Sequence, residues 1–467
     1  MKLPVILTAI ATALLAGCVS FTPDGGFGTV DSAVRERTGQ EAKWIRSDNE
    51  ADTVRVRVKE LLAQPLSAES AVQVALLNNP GLQASYAEMG IAEADLVQAS
   101  RWRGPTFSFA RLRRGDETEF ERSVFLDILG LISIPLATKA QEKRFEAAKV
   151  RAAGEALRLA LETRRNYFGA LAAVETARYM EQVKSAAEAS AELARRMAAV
   201  GNWSRLNQQR EQAFYAETTV QLARAKQAQV ASRERLTRSM GLWGEALNFT
   251  LPERLPDLPK APREGGDLEA QALAQRLDVQ GARRESEALA ESMGLTRITR
   301  FVDLLEVGLH HNTESPRPPQ RGWEVELRIP IFDFGGASVV RAEHVYMQSV
   351  NRAADTAIRA RSEVRETYSA YRTAFDLARH YRDEVVPLRK RISEEMLLRY
   401  NGMLASVFEL LADSRDSVMS VNAYIETLRD FWLAESDLQA ALTSGSPGAV
   451  GGGSKAMARP AAGGAAH

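Results

Sequence analysis

The sequence predicts a mainly α-helical fold with a small β part, in which long coiled-coil helices carry four short strands. Three observations lead to this fold class. Residue patterns repeat in the two halves of the chain, helical patterns run far longer than in ordinary globular proteins, and each half contains two segments that suit strands. The chain is therefore predicted to contain an internal duplication, with two strands in each copy.

The duplication is visible as matches at one constant spacing of 201 residues. Single matches mean little, but a constant spacing is hard to obtain by chance. We therefore expect a first structural repeat at 66–251 and a second at 267–443, joined by a linker at 252–266 whose prolines cannot continue a helix. The matches pair Arg151 with Arg352, Ala152 with Ala353, Tyr167 with Tyr368, Ala173 with Ala374 and Gly201 with Gly402.

Helical patterns dominate each repeat. In the first repeat they cover 68–100, 139–199 and 204–241. A helix of about 61 residues is ~90 Å long at ~1.5 Å per residue, so it needs partners along its whole length. One stripe of small residues has the spacing of a coiled-coil seam, which permits close approach of a partner helix. This stripe consists of Val183, Ala187, Ser190, Ala194 and Met197.

The strands are predicted at 106–114, 120–131, 301–311 and 322–331. In the last strand Trp323, Val325, Leu327, Ile329 and Ile331 alternate with Glu324, Glu326 and Arg328, which gives one apolar and one charged face. In the second strand Phe125 interrupts the polar face.

The lengths of these strands suit tilted membrane-spanning strands. A membrane barrel turns its apolar face to lipid and its polar face to a water-filled lumen, so Glu324, Glu326 and Arg328 are predicted to line a lumen. Four strands are too few for such a barrel, which needs at least ~8. Oligomerisation is therefore expected.

Composition and motifs argue against several other functions. Lysine plus arginine and aspartate plus glutamate number 60 each, which removes the electrostatic case for nucleic acid. Asp333-Phe334-Gly335 lacks the other motifs of a protein kinase. The histidines, including His310 and His311, lack the spacing of metal ligands on one helix face. We expect no enzyme activity, no cofactor and no metal site.

The two ends of the chain carry their own signals. Residues 1–17 have the single lysine and the short apolar run of a secretory signal peptide. Cys18, the only cysteine, begins an N-terminal segment at 18–65 and cannot form a disulfide within the chain. The tail at 444–467, rich in glycine and alanine, is predicted to be disordered.

Three motifs resemble the outer-membrane efflux proteins of the TolC type over about 66–445. They are LNNPGL at 77–82, IPIFDFGG at 329–336 and RYNGML at 399–404, which leads into Glu409-Leu410-Leu411. The resemblance implies a homotrimer with a twelve-stranded transmembrane β-barrel and a periplasmic α-barrel. It also implies two partners, a periplasmic adaptor (membrane fusion) protein and an inner-membrane transporter.

Leu15-Ala16-Gly17-Cys18 resembles a bacterial lipobox, which implies acylation of Cys18 and anchoring in outer-membrane lipid. The family resemblance also places the adaptor-facing tips and the aperture. Relatives carry acidic residues after the second tip, where this chain has Glu409 and then Ala412, and Asn207 replaces an aspartate that can lock the closed state. We therefore expect a less acidic and less firmly latched gate. The tips are Val200, Gly201, Asn202 and Trp203 in the first repeat, and Asn401, Gly402, Met403 and Leu404 in the second.

The second tip has Met403 where the family commonly has glycine, so its turn is expected to differ from the first. Two functions remain at this point. One is a passive outer-membrane duct for a tripartite efflux or export system. The other is a non-conducting lipoprotein whose coiled coil acts as a periplasmic spacer, which would have no need for the charged strand face at Glu324, Glu326 and Arg328.

Overall fold

The computed structural model describes residues 19–314 and 317–446. The predicted fold class is confirmed, since long helices are combined with one four-stranded sheet. Cys18, the predicted signal peptide at 1–17 and residues 447–467 of the predicted tail lie outside the described residues. No helix within the described part of the chain has both the length and the apolar composition needed to cross a membrane.

The elements follow the predicted order in each repeat, namely helix, two strands, a long helix, a turn and a further helix. In chain order they are α1 Phe27–Thr38, α2 Asp48–Leu62, α3 Ala68–Asn78, α4 Pro80–Ala99, β1 Thr106–Arg114, β2 Glu117–Asp127, α5 Ile128–Ala199, α6 Arg205–Met240, α7 Leu268–Gln275, α8 Leu277–Thr299, β3 Leu304–Glu314, β4 Gln320–Arg328, α9 Gly336–His380, α10 Val386–Asn401 and α11 Val407–Thr443.

The chain forms two compact units. One contains the described residues up to Ala51, with Pro80–Leu157 and Leu273–Arg359, and it holds the sheet. The other contains Asp52–Asn79, Arg158–Ala272 and the described residues from Ala360 onward, and it holds both interhelical turns. Each unit therefore combines segments of both predicted repeats.

The sheet is antiparallel throughout and has the order β1-β2-β3-β4. Sequential strands are thus neighbours, and β1 and β4 are the two edges. Each edge presents a row of backbone N–H and C=O groups that no other strand of the described chain pairs.

Two strands end earlier than the sequence predicted. β2 ends at Asp127, where α5 begins, so 128–131 is helical. β4 ends at Arg328, which leaves Ile329 and Ile331 outside the ladder. Pro330 explains the second end because proline has no N–H to donate, and the Ile331 N–H turns back to the Ile329 carbonyl oxygen at 2.9 Å.

Asp333 caps the start of α9, the helix that follows the sheet. Its carboxylate accepts hydrogen bonds from the backbone N–H groups of Gly335, at 3.0 Å, and Ala337, at 3.2 Å. These groups have no partner inside the helix, so the aspartate stabilises the start of α9. Gly335 has a φ of 70°, and a Cβ there would lie 2.3 Å from the Arg300 carbonyl oxygen. This geometry requires glycine.

The predicted helix at 68–100 is two helices, because Pro80 starts α4 directly after Asn79. Within the second unit, the side-chain N–H groups of Asn78 donate to the carbonyl oxygens of Met240 and Gly241 at 3.1 and 2.9 Å. Asn79 donates to the Ser239 carbonyl oxygen at 2.9 Å. The two asparagines therefore satisfy the last carbonyl groups of α6, which have no acceptor role within that helix.

The long helices also depart from the predicted bounds. α5 starts at Ile128 rather than 139, and α9 gives way to a π-helical segment at Tyr381–Val385 before α10. The predicted coiled-coil seam is confirmed in the second unit, where Val183, Ala187 and Ala194 are buried.

The N-terminal segment packs within the first unit. The Thr22 backbone N–H and hydroxyl both donate to Oε1 of buried Glu93, at 2.7 and 2.6 Å. The ring of Phe27 meets that of Tyr86 edge to face, with centroids 4.8 Å apart. The segment that follows Cys18 is thus fixed to α4 by polar and aromatic contacts.

Candidate functional site

One face of the sheet is acidic. Pairing and strand alternation put all eight acidic side chains of the four strands on the same face, which we call the acidic face. The predicted lumen residues Glu324, Glu326 and Arg328 lie on it together. The acidic side chains are Glu117, Glu119, Glu121, Asp127, Glu306, Glu314, Glu324 and Glu326.

Like charges meet directly on the acidic face. Glu306 lies opposite Asp127 on one side and Glu326 on the other, which makes a row of three carboxylates. Such pairs are destabilising unless water and cations screen them. Arg328 Nη2 lies 3.7 Å from Glu326 Oε1, while the net charge of the face remains strongly negative. This face therefore suits an aqueous, cation-rich surrounding.

Phe125 lies on the acidic face by strand alternation, and one glycine leaves room for its ring. It is opposite Gly308, where an added Cβ would lie 2.7 Å from the Phe125 ring. The ring also meets His310 edge to face, with centroids 5.5 Å apart. Phe125, which interrupts the polar face in the sequence, thus covers the backbone of Gly308, which has no side chain of its own.

The opposite face, which we call the apolar face, carries hydrophobic side chains on all four strands, and those of β1, β3 and β4 include exposed ones. Phe107 and Trp323 are each 75% exposed, and Leu327 is 50% exposed. A contiguous exposed apolar patch is rare on a soluble monomer and marks a surface that meets lipid or protein. Its members are Phe107, Phe109, Phe120, Val124, Leu126, Leu305, Val307, Leu309, Trp323, Val325 and Leu327.

The first interhelical turn closes α5 by a Schellman motif. Gly201 has a φ of 77° and its N–H donates to the Ala198 carbonyl oxygen at 3.1 Å, while the Asn202 N–H donates to Met197 at 3.0 Å. Val200 is exposed, whereas Trp203 is half-buried.

The second turn is closed in the same way, contrary to the expectation that it would differ. The Met403 N–H donates to the Tyr400 carbonyl oxygen at 3.0 Å, and the Leu404 N–H donates to Arg399 at 2.8 Å. Met403 takes the left-handed conformation with a φ of 58°, while Gly402 has a φ of −79°. The structural match of Gly201 is therefore Met403, one residue beyond the Gly402 that the sequence spacing paired with it.

The predicted aperture residues Asn207 and Glu409 occupy equivalent positions, each three residues after a serine that caps a helix. Ser204 accepts from the Asn207 N–H at 3.2 Å, and Ser406 accepts from the Glu409 N–H at 3.2 Å. Only Glu409 also bonds back to its serine through its side chain. Its Oε2 accepts from the Ser406 N–H at 2.8 Å and from the Ser406 hydroxyl at 2.9 Å. These bonds hold the pKa of the exposed Glu409 carboxyl below its ordinary value.

One turn beyond Asn207 lies a buried ion pair that the sequence did not suggest. Glu211 is 1% exposed, accepts from the Ser190 hydroxyl at 2.6 Å and forms an ion pair with Arg415. The Arg415 guanidinium lies 4.5 Å from the Phe214 ring centroid. The pair therefore links α6 to α11 within the second unit.

The second repeat carries the matching half of this arrangement. Asp413 is buried and accepts from the Ser393 hydroxyl at 2.6 Å, as Glu211 accepts from Ser190. The two acids are separated by the same 202 positions as Gly201 and Met403. A comparison of the two repeats at the spacing of the turns would have matched Glu211 with Asp413, and it could thus have identified both acids.

Within 19–314 and 317–446, no three histidine, cysteine, aspartate or glutamate side chains are grouped closely enough to hold a metal ion. His310 Nε2 lies 2.8 Å from Glu324 Oε2, which is a pairwise contact on the acidic face.

No protein-family model matches the chain, and no curated protein matches its sequence. Solved structures do match it. The Campylobacter jejuni CmeC outer membrane channel is 17% identical with a TM-score of 0.69, and the match covers 87% of this chain and 90% of that one. The Neisseria gonorrhoeae MtrE outer membrane channel, solved in its open state, is 15% identical with a TM-score of 0.67, covering 81% and 89%.

CusC, whose structures concern folding and transmembrane channel formation, is 16% identical with a TM-score of 0.67, and the match covers 81% of this chain and 92% of that one. Each match spans both compact units and nearly all of the neighbour. The chain has the fold of outer-membrane channels of the TolC type, as the resemblance in its sequence predicted.

Proposed function

We propose that this protein is the outer-membrane channel of a tripartite efflux or export system, a passive duct that receives its substrate from an inner-membrane pump through a periplasmic adaptor. It performs no chemistry of its own and uses no cofactor. Energy comes from the pump, and the pump selects the substrate.

The observation that carries this proposal is the division of the sheet into two faces. All acidic side chains of the strands are on one face, and the other face carries hydrophobic side chains from all four strands, with exposed ones on β1, β3 and β4. Water on one side and lipid on the other satisfy both faces, as in a membrane barrel. A periplasmic spacer would leave the apolar face without an explanation.

The two unpaired edges support a closed oligomer. Backbone groups cannot stay unpaired in lipid, so β4 of one chain must pair with β1 of the next until the sheet closes. Three copies supply twelve strands, and the family resemblance implies that number. The acidic faces of three chains would then line one cation-attracting lumen.

The two turns and the ion pair behind them fit docking and gating. Val200, Met403 and Leu404 are exposed apolar residues at the turns, and we assign them to the adaptor contact. Glu409, in three copies, would make the aperture attractive to cations. Asn207 stands where relatives have an aspartate that can lock the closed state. We assign that latch instead to the ion pair of Glu211 and Arg415, because it joins α6 to α11 in a buried contact.

Reconstitution of the full-length protein in a planar bilayer tests the function. A channel should give stepwise, cation-selective conductance, and Glu324→Gln with Glu326→Gln should lower the selectivity without abolishing the steps. The matched control is Glu36→Gln with Glu60→Gln, the same charge change on exposed positions of α1 and α2 outside the sheet, which should leave the selectivity unchanged. Membrane-bound protein that gives no conductance would instead support the spacer.

We also propose that acylated Cys18 anchors the protein to the outer membrane, because each buried methylene contributes ~0.8 kcal/mol. The barrel should hold the protein in the membrane by itself, so Cys18→Ser should remove the lipid and leave the trimer. Mass spectrometry and heat-resistant trimer on gels measure both. Loss of all trimer in Cys18→Ser would contradict an auxiliary role.

A further inference from the structure

A row of basic side chains crosses the apolar face on the side of the β3–β4 turn. The register that sets Ser123 opposite His310 puts Arg122 opposite His311, and His311 pairs with Arg321. We call Arg122, His311 and Arg321 the basic row. It crosses β2, β3 and β4 on the same face as Trp323, which is two residues farther along β4.

Two features separate the basic row from an ordinary solvated surface. No carboxylate lies on the apolar face of the strands, and within the described residues neither Arg122 nor Arg321 forms an ion pair. Arg122 instead lies over the Phe120 ring, 5.9 Å from its centroid, and Arg111 approaches the same ring at 5.7 Å. Arg122 is thus held beside an aromatic ring, and both Arg122 and Arg321 lack an anion in the part of the chain that the structure describes.

A depression of about 440 Å³ lies between the basic row and the first apolar row. By strand alternation its walls are side chains of the apolar face, with Ser108, Ser123 and His310 beneath them. It therefore has the basic side chains Arg122 and His311 at one end and apolar side chains at the other. The wall residues are Phe107, Phe109, Arg122, Val124, Leu309 and His311.

We propose that this surface binds a phosphorylated lipid of the outer leaflet, with phosphate against the basic row and acyl chains along the apolar rows below it. Guanidinium groups match phosphate in charge and geometry, and basic groups at a membrane surface recognise anionic lipid headgroups. The basic row lies nearer the β3–β4 turn than the strand ends where α5 and α9 begin: Arg321 and His311 are one and three residues from the turn-side ends of β4 and β3, and Arg122 is at the middle of β2. If those helices extend into the periplasm, the row lies in the outer leaflet.

This inference rests on the proposed membrane barrel and adds its lipid partner. The test uses the full-length protein in neutral detergent, with lipid A as the phosphorylated probe and dephosphorylated lipid A as its partner. Native mass spectrometry or equilibrium binding measures the affinity. Binding of lipid A should be about 30-fold tighter than that of the dephosphorylated form, as expected for two cations at an anionic surface.

The variant Arg122→Gln with Arg321→Gln should lose this preference, while the same charge change on the acidic face, Arg114→Gln with Arg328→Gln, should retain it. Equal binding of the two lipids by the unmodified protein, or equal loss in both variants, would overturn the proposal. So would inorganic phosphate that displaces lipid A at equal concentration, since the site would then recognise phosphate alone.

Conductance in phosphatidylcholine bilayers, measured on the same preparations, separates the two proposals. A conducting protein without a preference for phosphorylated lipid would refute only the lipid partner. A non-conducting protein would refute the duct, whatever lipid it binds.

Discussion

Met403 holds the left-handed backbone conformation in the second turn that Gly201 holds in the first, with φ values of 58° and 77°. This conformation costs an L-residue with a Cβ about 1–2 kcal/mol, and for glycine it is almost free of strain. The second turn is therefore strained where the first is relaxed, although both are closed by equivalent hydrogen bonds.

Met403→Gly should relieve this strain and stabilise the second turn by up to about 1 kcal/mol, and Gly201→Ala should destabilise the first by a similar amount. Hydrogen exchange of the turn amides measures both effects. Gly402→Ala is the control because its φ of −79° suits any residue. Slower exchange in Gly201→Ala would contradict the assignment.

The cap formed by Glu409 should respond to acid. Its pKa is lowered by the hydrogen bonds from Ser406, so its contribution to stability is complete above the ordinary value of 4.5 and is lost as the pH falls through the lowered one. Amides at the start of α11 should therefore exchange faster at pH 3 than at pH 6, after correction for intrinsic rates.

Asn207 provides an internal control because it occupies the same position in α6 and does not ionise. Protection at the start of α6 should change little over the same range. Glu409→Gln should remove the pH response of α11 while retaining part of the cap. A pH response that survives in Glu409→Gln would show that another group controls this helix end.

Arg415→Ala should destabilise the contact between α6 and α11 by about 1–3 kcal/mol, because it leaves the buried Glu211 carboxylate without its cation. If the pair is a latch, the variant should also spend more time in the conducting state. Arg389→Ala breaks a more exposed pair with Asp416 and should cost less than about 1 kcal/mol. Equal open times in the two variants would contradict the latch.

Leu327→Arg should destabilise the barrel by about 2–4 kcal/mol if the residue lies near the midplane, because a charge would replace an apolar side chain in lipid. Glu326→Gln, one residue earlier and on the acidic face, should alter ion selectivity and leave assembly intact. Heat-resistant trimer on gels and single-channel recording measure the two effects. Equal loss of trimer in Leu327→Arg and Glu326→Gln would contradict the assignment of the two faces.

The sequence predicted the faces of β4 because its alternation runs without interruption from Trp323 to Leu327. It missed the apolar residues of β1 and β3, since Phe107 and Phe109 are followed at once by arginine at the next same-face position. A face built from two or three apolar positions per strand becomes visible only when pairing brings the strands together.

The turns show a different limit. Glycine is the strongest sequence marker of a helix end, so the match with Gly201 fell on Gly402 instead of Met403. Glu211 was missed because a charged residue within a helix ordinarily faces solvent, and only the packing of α5 and α11 buries it.

The open edges of the sheet have a consequence for the life of the chain before it reaches its final state. A single copy carries two strand edges that no strand of the described chain pairs and an exposed apolar surface, which together make a template for wrong pairing. If the protein acts as the trimeric barrel proposed above, passage through water is the stage at which wrong pairing threatens, and the yield of functional protein should depend on how quickly three copies meet and close.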